Sequence, residues 1–268
     1  MPRKPLTDVT AREVVHLLIL EELGKVRDGQ AVALKGGVNL RLFFQSVRYS
    51  EDVDLDGVPE ASQAIRSTIK GIFRDRAFFK RLRKLGIRGL DPGGGPNKDT
   101  STTFRYKFGV VLPGDIRHPT KVEVSFRPRH PGDRTITEPV PNRFLEEYEI
   151  APLPICRYVR EAAVRQKIEA LGGRSQAQAR DVFDLHALVG GHVRDETLAF
   201  LAGALKRNQM DAAYERARSI TFAEYEGQVI EFLATEGRET YGTEGAWDEL
   251  RLKVAGLIEA VIQQLGKA

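Results

Sequence analysis

The first third of the chain alternates apolar and polar positions in the way expected of a small α/β core. Apolar side chains recur at helical spacing over residues 9–26. Residues 31–34 are a short apolar run that ends at Gly36 and Gly37, which is typical of a buried strand entering a turn. The pattern then predicts a second helix over residues 38–45.

Residues 52–56 carry the most distinctive pattern. Val53 and Leu55 alternate with Asp52, Asp54 and Asp56. Side chains of a strand alternate between its two faces, so this period predicts a strand with one apolar face and one acidic face.

The rest of the pattern divides the chain into two halves. It predicts a long basic helix over residues 60–85, a loop over 91–97, strands over 102–112 and 120–126, and helices from residue 157 onward with breaks near residues 172, 190 and 208. We therefore expect an α+β fold. A small mixed sheet would lie within residues 1–154, and a helical C-terminal region would span residues 155–268.

Composition is that of an ordinary soluble protein. The chain has 268 residues, of which 41% are hydrophobic and 29% are charged. No apolar run approaches the roughly 20 residues of a membrane helix, and the basic start is followed by no apolar core of a signal peptide. We therefore expect a cytoplasmic protein without a membrane partner. The single cysteine, Cys156, excludes an intrachain disulfide and a thiolate metal cluster, and we expect it to be a packed residue.

Basic residues are unevenly distributed, although the net charge is only +4. They crowd into residues 74–88 and residues 127–134. Such clusters attract polyanions through counterion release, which favours nucleic-acid contact. A solvated helix face is the alternative interpretation.

Asp52 and Asp54 are candidate metal ligands. Two carboxylates on one strand face repel each other unless a cation lies between them, and hard oxygen ligands select Mg²⁺ or Mn²⁺. An exposed acidic strand edge is the alternative, because the tripeptide is common. Glu123, on the polar face of a later strand, is a candidate third carboxylate, or else a solvated strand residue.

Gly36 and Gly37 place a candidate phosphate cradle before this acidic strand. Glycine lets the backbone approach a ligand closely, and the N-terminus of a helix favours phosphate. A strand, a glycine turn that opens a helix, and a second strand with the acidic pair therefore indicate phosphate binding beside a metal site.

Four motifs together resemble those of a known family. Residues 34–42 (LKGGVNLRL) followed by 48–56 (RYSEDVDLD) resemble the first motif of the AbiEii/AbiGii nucleotidyltransferase toxins. These toxins belong to the DNA polymerase β-like nucleotidyltransferase superfamily and include the mycobacterial MenT toxins. Residues 121–124 (KVEV), 165–171 (RQKIEAL) and 180–185 (RDVFDL) resemble the later motifs in the same order. The gap between Gly37 and Asp52 is at the long end of the superfamily pattern, and the last third of the chain matches no motif.

The resemblance implies a nucleotidyltransferase core whose active site the helical region completes. It implies that Asp52, Asp54 and Glu123 hold Mg²⁺ or Mn²⁺, and that Lys167 and Asp181 also belong to the site. Gly36, Gly37 and Lys167 would hold the phosphates of a nucleoside triphosphate. Without the resemblance, a surface lysine would be the favoured interpretation of Lys167.

Four further residues have open roles. The resemblance places Ser50 beside the metal as a nucleotide-site residue and as a target of modification by an antitoxin, whereas a strand-entry serine is the alternative. Arg41 and Arg48 would contact phosphates or pair with Glu51. Asp184 lies one helical turn after Asp181 and would join the site or hold its helix against the sheet.

The function implied by the resemblance is that of a toxin from a toxin–antitoxin system. It would transfer a nucleoside monophosphate to RNA, such as the 3′ end of tRNA, and would bind a cognate antitoxin. Two alternatives remain: a nucleotidyltransferase that modifies a protein or small molecule, and a non-enzymatic nucleic-acid-binding protein with the same fold.

Overall fold

The computed structural model describes residues 6–190 and 193–266. The first five residues of the basic N-terminal segment and Gly191 of the predicted helix break lie outside the described residues. The chain divides into two compact units. The sheet unit comprises Met1–Phe43, Tyr49–Arg129 and Thr135–Tyr158. The helical unit comprises Phe44–Arg48, His130–Arg134 and Val159–Ala268.

The sheet unit contains one mixed, eight-stranded sheet. Its strands are β1 (Val32–Lys35), β2 (Val53–Gly57), β3 (Gly89–Asp91), β4 (Pro96–Asp99), β5 (Thr103–Val111), β6 (Arg117–Ser125), β7 (Thr135–Pro139) and β8 (Pro154–Tyr158). Their order is β3-β5-β6-β2-β1-β8-β7, with β4 paired to β5. The central β2 runs antiparallel to β1 and parallel to β6, so it is flanked on both sides.

Four helices complete the sheet unit: α1 (Asp8–Gly24), α2 (Gly36–Phe43), α3 (Ser62–Ile72) and α4 (Arg76–Lys84). The N-terminus of α1 is capped by Thr7, whose side chain accepts from the backbone N–H of Thr10. Helix α1 packs on α3 and on β5, β6 and β8. Val53 and Leu55 are fully buried within this core, which confirms the alternation of apolar and acidic positions in β2.

The expected single helix over residues 60–85 was wrong. Helix α3 ends at Ile72 and α4 begins at Arg76. Asp75 adopts an extended conformation, and its side chain accepts from the backbone N–H of Ala77, so it caps the second helix. The continuous basic pattern concealed this capping aspartate.

Four strands were also missed. Strands β3 and β4 flank the glycine turn that we expected to be all loop. Strand β7 pairs with β8, which lies where the sequence predicted the onset of helices. The helical pattern begins only at Arg160, because the five residues before Val159 complete the sheet.

The helical unit consists of α5 (Arg160–Gly173), α6 (Ala179–Val189), α7 (Asp195–Ala204), α8 (Arg207–Ser219), α9 (Phe222–Gln228), α10 (Thr235–Tyr241) and α11 (Glu244–Leu265). Trp247 is buried and stacks on Tyr225 at a centroid distance of 4.3 Å. Its indole N–H donates to the backbone carbonyl of Ile220 at 3.1 Å, which satisfies the polar end of this large side chain. No helix in the described residues is long and apolar enough to cross a membrane.

A buried histidine joins α1 to the sheet and to the loop before β2. His16 Nε2 lies 2.8 Å from Thr120 Oγ, and this hydroxyl donates to the backbone carbonyl of Glu51 at 2.6 Å. The hydroxyl proton is therefore used on Glu51, so His16 Nε2 must be the protonated nitrogen that donates. Burial, reinforced by the nearby Arg12, lowers the pKa of His16 to about 3.

We predict that His16 makes the protein less stable as the pH falls below 6.5. The unfolded chain takes up a proton on His16 near its ordinary pKa of 6.5, whereas the folded chain does not do so until about pH 3. The stability linked to His16 is therefore complete above pH 6.5, and roughly 1.4 kcal/mol is lost per pH unit below it. Urea unfolding at pH 7.0 and 5.0 should show a smaller loss in His16→Gln than in the unchanged protein. Equal losses would contradict a buried neutral histidine.

Candidate active site

A row of four charged residues crosses the centre of the sheet. Lys35 of β1 is in register with Asp54 of β2, Asp54 with Glu123 of β6, and Glu123 with Arg105 of β5. Paired residues on neighbouring strands point to the same face. The two carboxylates thus lie side by side, with one cation at each end of the row.

Ion pairs neutralise most of the surrounding carboxylates. Arg105 Nε donates to Glu123 Oε2 at 2.6 Å, and Lys121 donates to Asp52, which directly precedes β2. Asp52 was expected within the strand, but its carboxylate still reaches the acidic face. These pairs explain how so many anions are accommodated on one face.

The two central carboxylates have opposite pKa shifts. Burial raises the pKa of Asp54, the charge of Lys121 lowers it, and the neighbouring Asp52 raises it further. Burial also acts to raise the pKa of Glu123, but the hydrogen bond and charge of Arg105 outweigh it and lower this pKa. Glu123 is therefore ionised at neutral pH, and Asp54 is the carboxyl most in need of a further cation.

Gly36 brings the start of α2 against Asp54. It has a φ of +68°, and a Cβ built on it would lie 2.7 Å from Asp54 Oδ2. Only glycine allows this approach without displacing the carboxylate. The first turn of α2, with its free backbone N–H groups, is thus held beside the acidic row. The phosphate-binding role of Gly36 and Gly37 stays a prediction.

The loop before β2 is fixed by two hydrogen bonds. Thr120 holds the carbonyl of Glu51, as described above, and Ser50 Oγ donates to the carbonyl of Asp52 at 2.9 Å. Ser50 is half-buried, so its hydroxyl is close to the backbone of the first acidic residue.

The donor chemistry of Asp52, Asp54 and Glu123 fits Mg²⁺ or Mn²⁺, since all three supply hard oxygen ligands from one face. Among the residues that the structure describes, however, no group of three or more His, Cys, Asp and Glu side chains is arranged so that it could hold a metal ion. Asp52 is paired with Lys121, and Glu123 is paired with Arg105.

The helical unit contains a second, deeply buried charge cluster. Lys167 of α5 donates to Asp181 Oδ1 of α6 at 2.9 Å, and its ammonium lies 2.6 Å from Asp184 Oδ2. Arg48 binds Asp184 through both Nε and Nη2, at 3.0 and 2.8 Å. Arg174 Nε lies 3.0 Å from Asp181 Oδ2. Three cations thus surround two carboxylates that are completely buried.

The charges of this cluster hold one another ionised. Burial alone would lower the pKa of Lys167, but Asp181 and Asp184 outweigh it and raise this pKa. Burial would raise the pKa of Asp184, but Arg48 and Lys167 lower it. Lys167 is therefore a charged ammonium at neutral pH.

Both arginines that we considered as phosphate ligands have carboxylate partners. Arg41 Nε donates to Glu13 at 2.8 Å, and its guanidinium lies 4.1 Å from the ring centroid of Tyr49. Arg48 is 4% exposed and grips Asp184. The sequence suggested Glu51 as an alternative partner of both arginines. It gave no periodic signal for Glu13 or Asp184, which are distant from them along the chain.

The sequence of the chain matches a family model over residues 18–245, described as nucleotidyl transferase AbiEii toxin, type IV toxin–antitoxin system. The chain belongs to the AbiEii family. It is therefore a nucleotidyltransferase of a type IV toxin–antitoxin family, as the motifs implied. No curated protein sequence matches the chain.

Solved structures with this fold include two bacterial proteins. MenT4, a nucleotidyltransferase toxin from Mycobacterium tuberculosis, is 14% identical, with a TM-score of 0.58 over 96% of this chain and 93% of its own. JHP933 from Helicobacter pylori is 15% identical, with a TM-score of 0.51 over 98% of this chain and 96% of its own. At such low identity these likenesses show the shared fold, in which a sheet core is followed by helices.

The cations of this candidate site were missed by sequence reasoning. Lys35, Arg105 and Lys121 all lie beside the acidic residues, yet we had assigned a role to none of them. Strand alternation was the available signal. Lys121 and Glu123 lie two residues apart in β6 and therefore point to the same face, as Lys35 and Ala33 do in β1. Register between strands, which decides which charges meet, is not visible in one sequence.

We predict that Asp184→Asn strongly destabilises the helical unit. The substitution keeps the side-chain volume but leaves Arg48 and Lys167 without their shared carboxylate. Breaking one partner of a buried ion pair costs about 3 kcal/mol. Urea unfolding should show this loss, whereas Glu169→Gln, at a 48% exposed partner of Arg165, should stay within about 0.5 kcal/mol of the unchanged protein. Equal stability of the two variants would contradict the importance of the buried pair.

We predict that Gly36→Ala impairs both stability and nucleotidyl transfer. The added Cβ must displace the Asp54 carboxylate, and a left-handed backbone is strained for alanine by about 1–2 kcal/mol. Gly24→Ala is the matched control, because nothing lies within 4 Å of its Cβ and alanine favours a helix. Thermal unfolding and transfer rates should separate the variants, and full activity in Gly36→Ala would refute the close approach.

Proposed function

We propose that this chain transfers a nucleoside monophosphate from a nucleoside triphosphate to a hydroxyl group and releases pyrophosphate. The observation that carries the proposal is the position of Asp54, which the register of β2 and β6 sets beside Glu123 and which lies against Gly36 at the start of α2. Paired carboxylates offer ligands to a divalent cation, and the start of α2 offers N–H groups to phosphate.

Asp52, Asp54 and Glu123 would hold Mg²⁺ or Mn²⁺. Such an ion, when bound, neutralises the triphosphate and makes the attacking hydroxyl more acidic. In the transfer, the hydroxyl oxygen bonds to the α-phosphorus, the bond from this phosphorus to the bridging oxygen breaks, and pyrophosphate leaves with the electron pair. Glu123, ionised at neutral pH, would accept the hydroxyl proton.

Several residues would bind the triphosphate. Gly36 and Gly37 would donate backbone N–H groups, and Ser50 would lie beside the phosphates. Lys167 would neutralise phosphate charge, with Asp181 orienting its ammonium; their 2.9 Å hydrogen bond and the raised pKa of Lys167 support this role. The carboxylate partners of Arg41 and Arg48 favour supporting roles for these two arginines.

RNA is the proposed acceptor, with the 3′ end of tRNA as the specific candidate. Helix α4 supports it: Arg76, Lys80, Arg83 and Lys84 are exposed, while Phe78 and Leu82 face the core. An exposed basic helix face neutralises backbone phosphates without reading their sequence. Membership of a toxin–antitoxin family implies a cognate antitoxin as a further partner, and Ser50 is the candidate residue for modification by it.

A label-transfer assay tests the proposed function. The purified protein is incubated with tRNA, Mg²⁺ and each of the four α-³²P-labelled triphosphates, and label on RNA is read on a denaturing gel. We expect transfer with at least one triphosphate, and a loss of at least about 100-fold in Asp54→Asn and Glu123→Gln. Asp115→Asn is the matched control, because this carboxylate is 71% exposed and pairs only at a turn with Arg88.

The outcomes distinguish the alternatives. Label on protein instead of RNA would keep the nucleotidyl transfer and replace the acceptor. RNA binding without transfer of any label would favour the non-enzymatic interpretation. Equal activity in Asp54→Asn and Asp115→Asn would overturn the assignment of the site to the acidic row.

A further inference from the structure

We propose that Lys35 binds the phosphates of the triphosphate, and that Asp56 and Tyr158 position its ammonium for this role. The inference rests on the proposed function, since it concerns the same site. It gives a role to Lys35, which lies within the first motif segment but was assigned none above, and to Asp56, the second aspartate of β2.

The position of Lys35 suits a phosphate ligand. It is the last residue of β1, immediately before Gly36, and it is in register with Asp54. Its side chain is 27% exposed, so the ammonium is accessible to a ligand on the acidic face. A bound phosphate at the start of α2 would thus meet backbone N–H groups and a lysine from adjacent residues.

A chain of two hydrogen bonds fixes this ammonium. Lys35 Nζ donates to Asp56 Oδ1 at 2.5 Å, and the hydroxyl of Tyr158 donates to Asp56 Oδ2 at 2.6 Å. Both carboxylate oxygens of Asp56 are therefore engaged, which restricts its rotation. Tyr158 is itself completely buried, and its backbone carbonyl accepts from Asn39 of α2 at 3.1 Å. The same tyrosine thus links the lysine anchor to the helix that begins at Gly36.

The distribution of charge separates Lys35 from the other two cations of the site. Lys121 and Arg105 bind Asp52 and Glu123, which are proposed metal ligands. Lys35 binds Asp56, which lies outside that set. It therefore needs no rearrangement when the carboxylates take up a metal. One of its three N–H donors serves Asp56, and the ammonium has further donors for phosphate oxygens.

In the transfer step, Lys35 would stabilise the charge that builds on the leaving pyrophosphate. A fixed ammonium stabilises such charge without reorganising during the reaction. The effect should therefore appear both in triphosphate binding and in the rate of transfer.

Titration calorimetry with Mg²⁺ and no acceptor tests the role of Lys35. The four nucleoside triphosphates are titrated in turn into the unchanged protein, and the tightest binder is then compared with inorganic tripolyphosphate across variants. Lys35→Met should weaken both ligands by at least about tenfold, and Lys35→Arg should recover part of the loss. Lys25→Met is the control, because Lys25 is 64% exposed and pairs with Glu22.

A second measurement tests the positioning role of Tyr158 and Asp56. Tyr158→Phe removes one hydroxyl and no contact with substrate, so it should raise the KM for the triphosphate by about threefold or more, with a smaller change in kcat. Asp56→Asn should act in the same direction. Thermal unfolding is recorded for every variant, and binding is compared at a temperature where each is folded.

Each outcome decides the inference. Unchanged affinity for triphosphate and tripolyphosphate in folded Lys35→Met would overturn it while leaving the proposed function intact if the unchanged protein still transfers label. Failure of the unchanged protein to bind any triphosphate would overturn both. A selective loss of phosphate binding in Lys35→Met but not in Lys25→Met would support it, and an unaltered KM in Tyr158→Phe would overturn the positioning part.

Discussion

Electrostatic repulsion between Asp54 and Glu123 is the constraint on which the site depends. The register of β2 and β6 places these carboxylates side by side, and Asp52 and Asp56 add two further negative charges to the same face. Lys35, Lys121 and Arg105 each pair with one of these four carboxylates. The fourth carboxylate is that of Asp54, whose pKa is raised. A further cation at the centre of the sheet would therefore stabilise the acidic face, which suits cation-dependent chemistry.

Ion pairs also stabilise the buried charges of the helical unit. The buried carboxylate of Asp184 is held by both Arg48 and Lys167. Because these groups are removed from water, each depends on its partners to remain charged. Lys167 can thus stay an ammonium at a buried position, which a lone lysine would not do.

Local patterns allowed much of the fold to be predicted, and non-local pairings explain what was missed. The alternation in residues 52–56 and the turn at Gly36 follow from neighbouring residues, so one sequence is enough to reveal them. The family resemblance supplied Lys167 and Asp181, which periodicity alone would have left as surface groups. Periodicity did not reveal three kinds of feature that depend on distant partners or on a single side chain. These are strands β7 and β8, the cap at Asp75 and the ion pair between Arg48 and Asp184.

Residues 44–48 have a consequence for how this protein can be divided. They interrupt the sheet unit in sequence, yet they belong to the helical unit, where Arg48 also forms a bridge with Leu233. No single cut of the chain therefore yields both units whole. A fragment starting at residue 159 would contain every long helix of the helical unit. It would lack Arg48, so the carboxylate of Asp184 would lose one of its partners. The helical unit is therefore complete only when residues 44–48, from the first fifth of the chain, have joined the helices that follow residue 159.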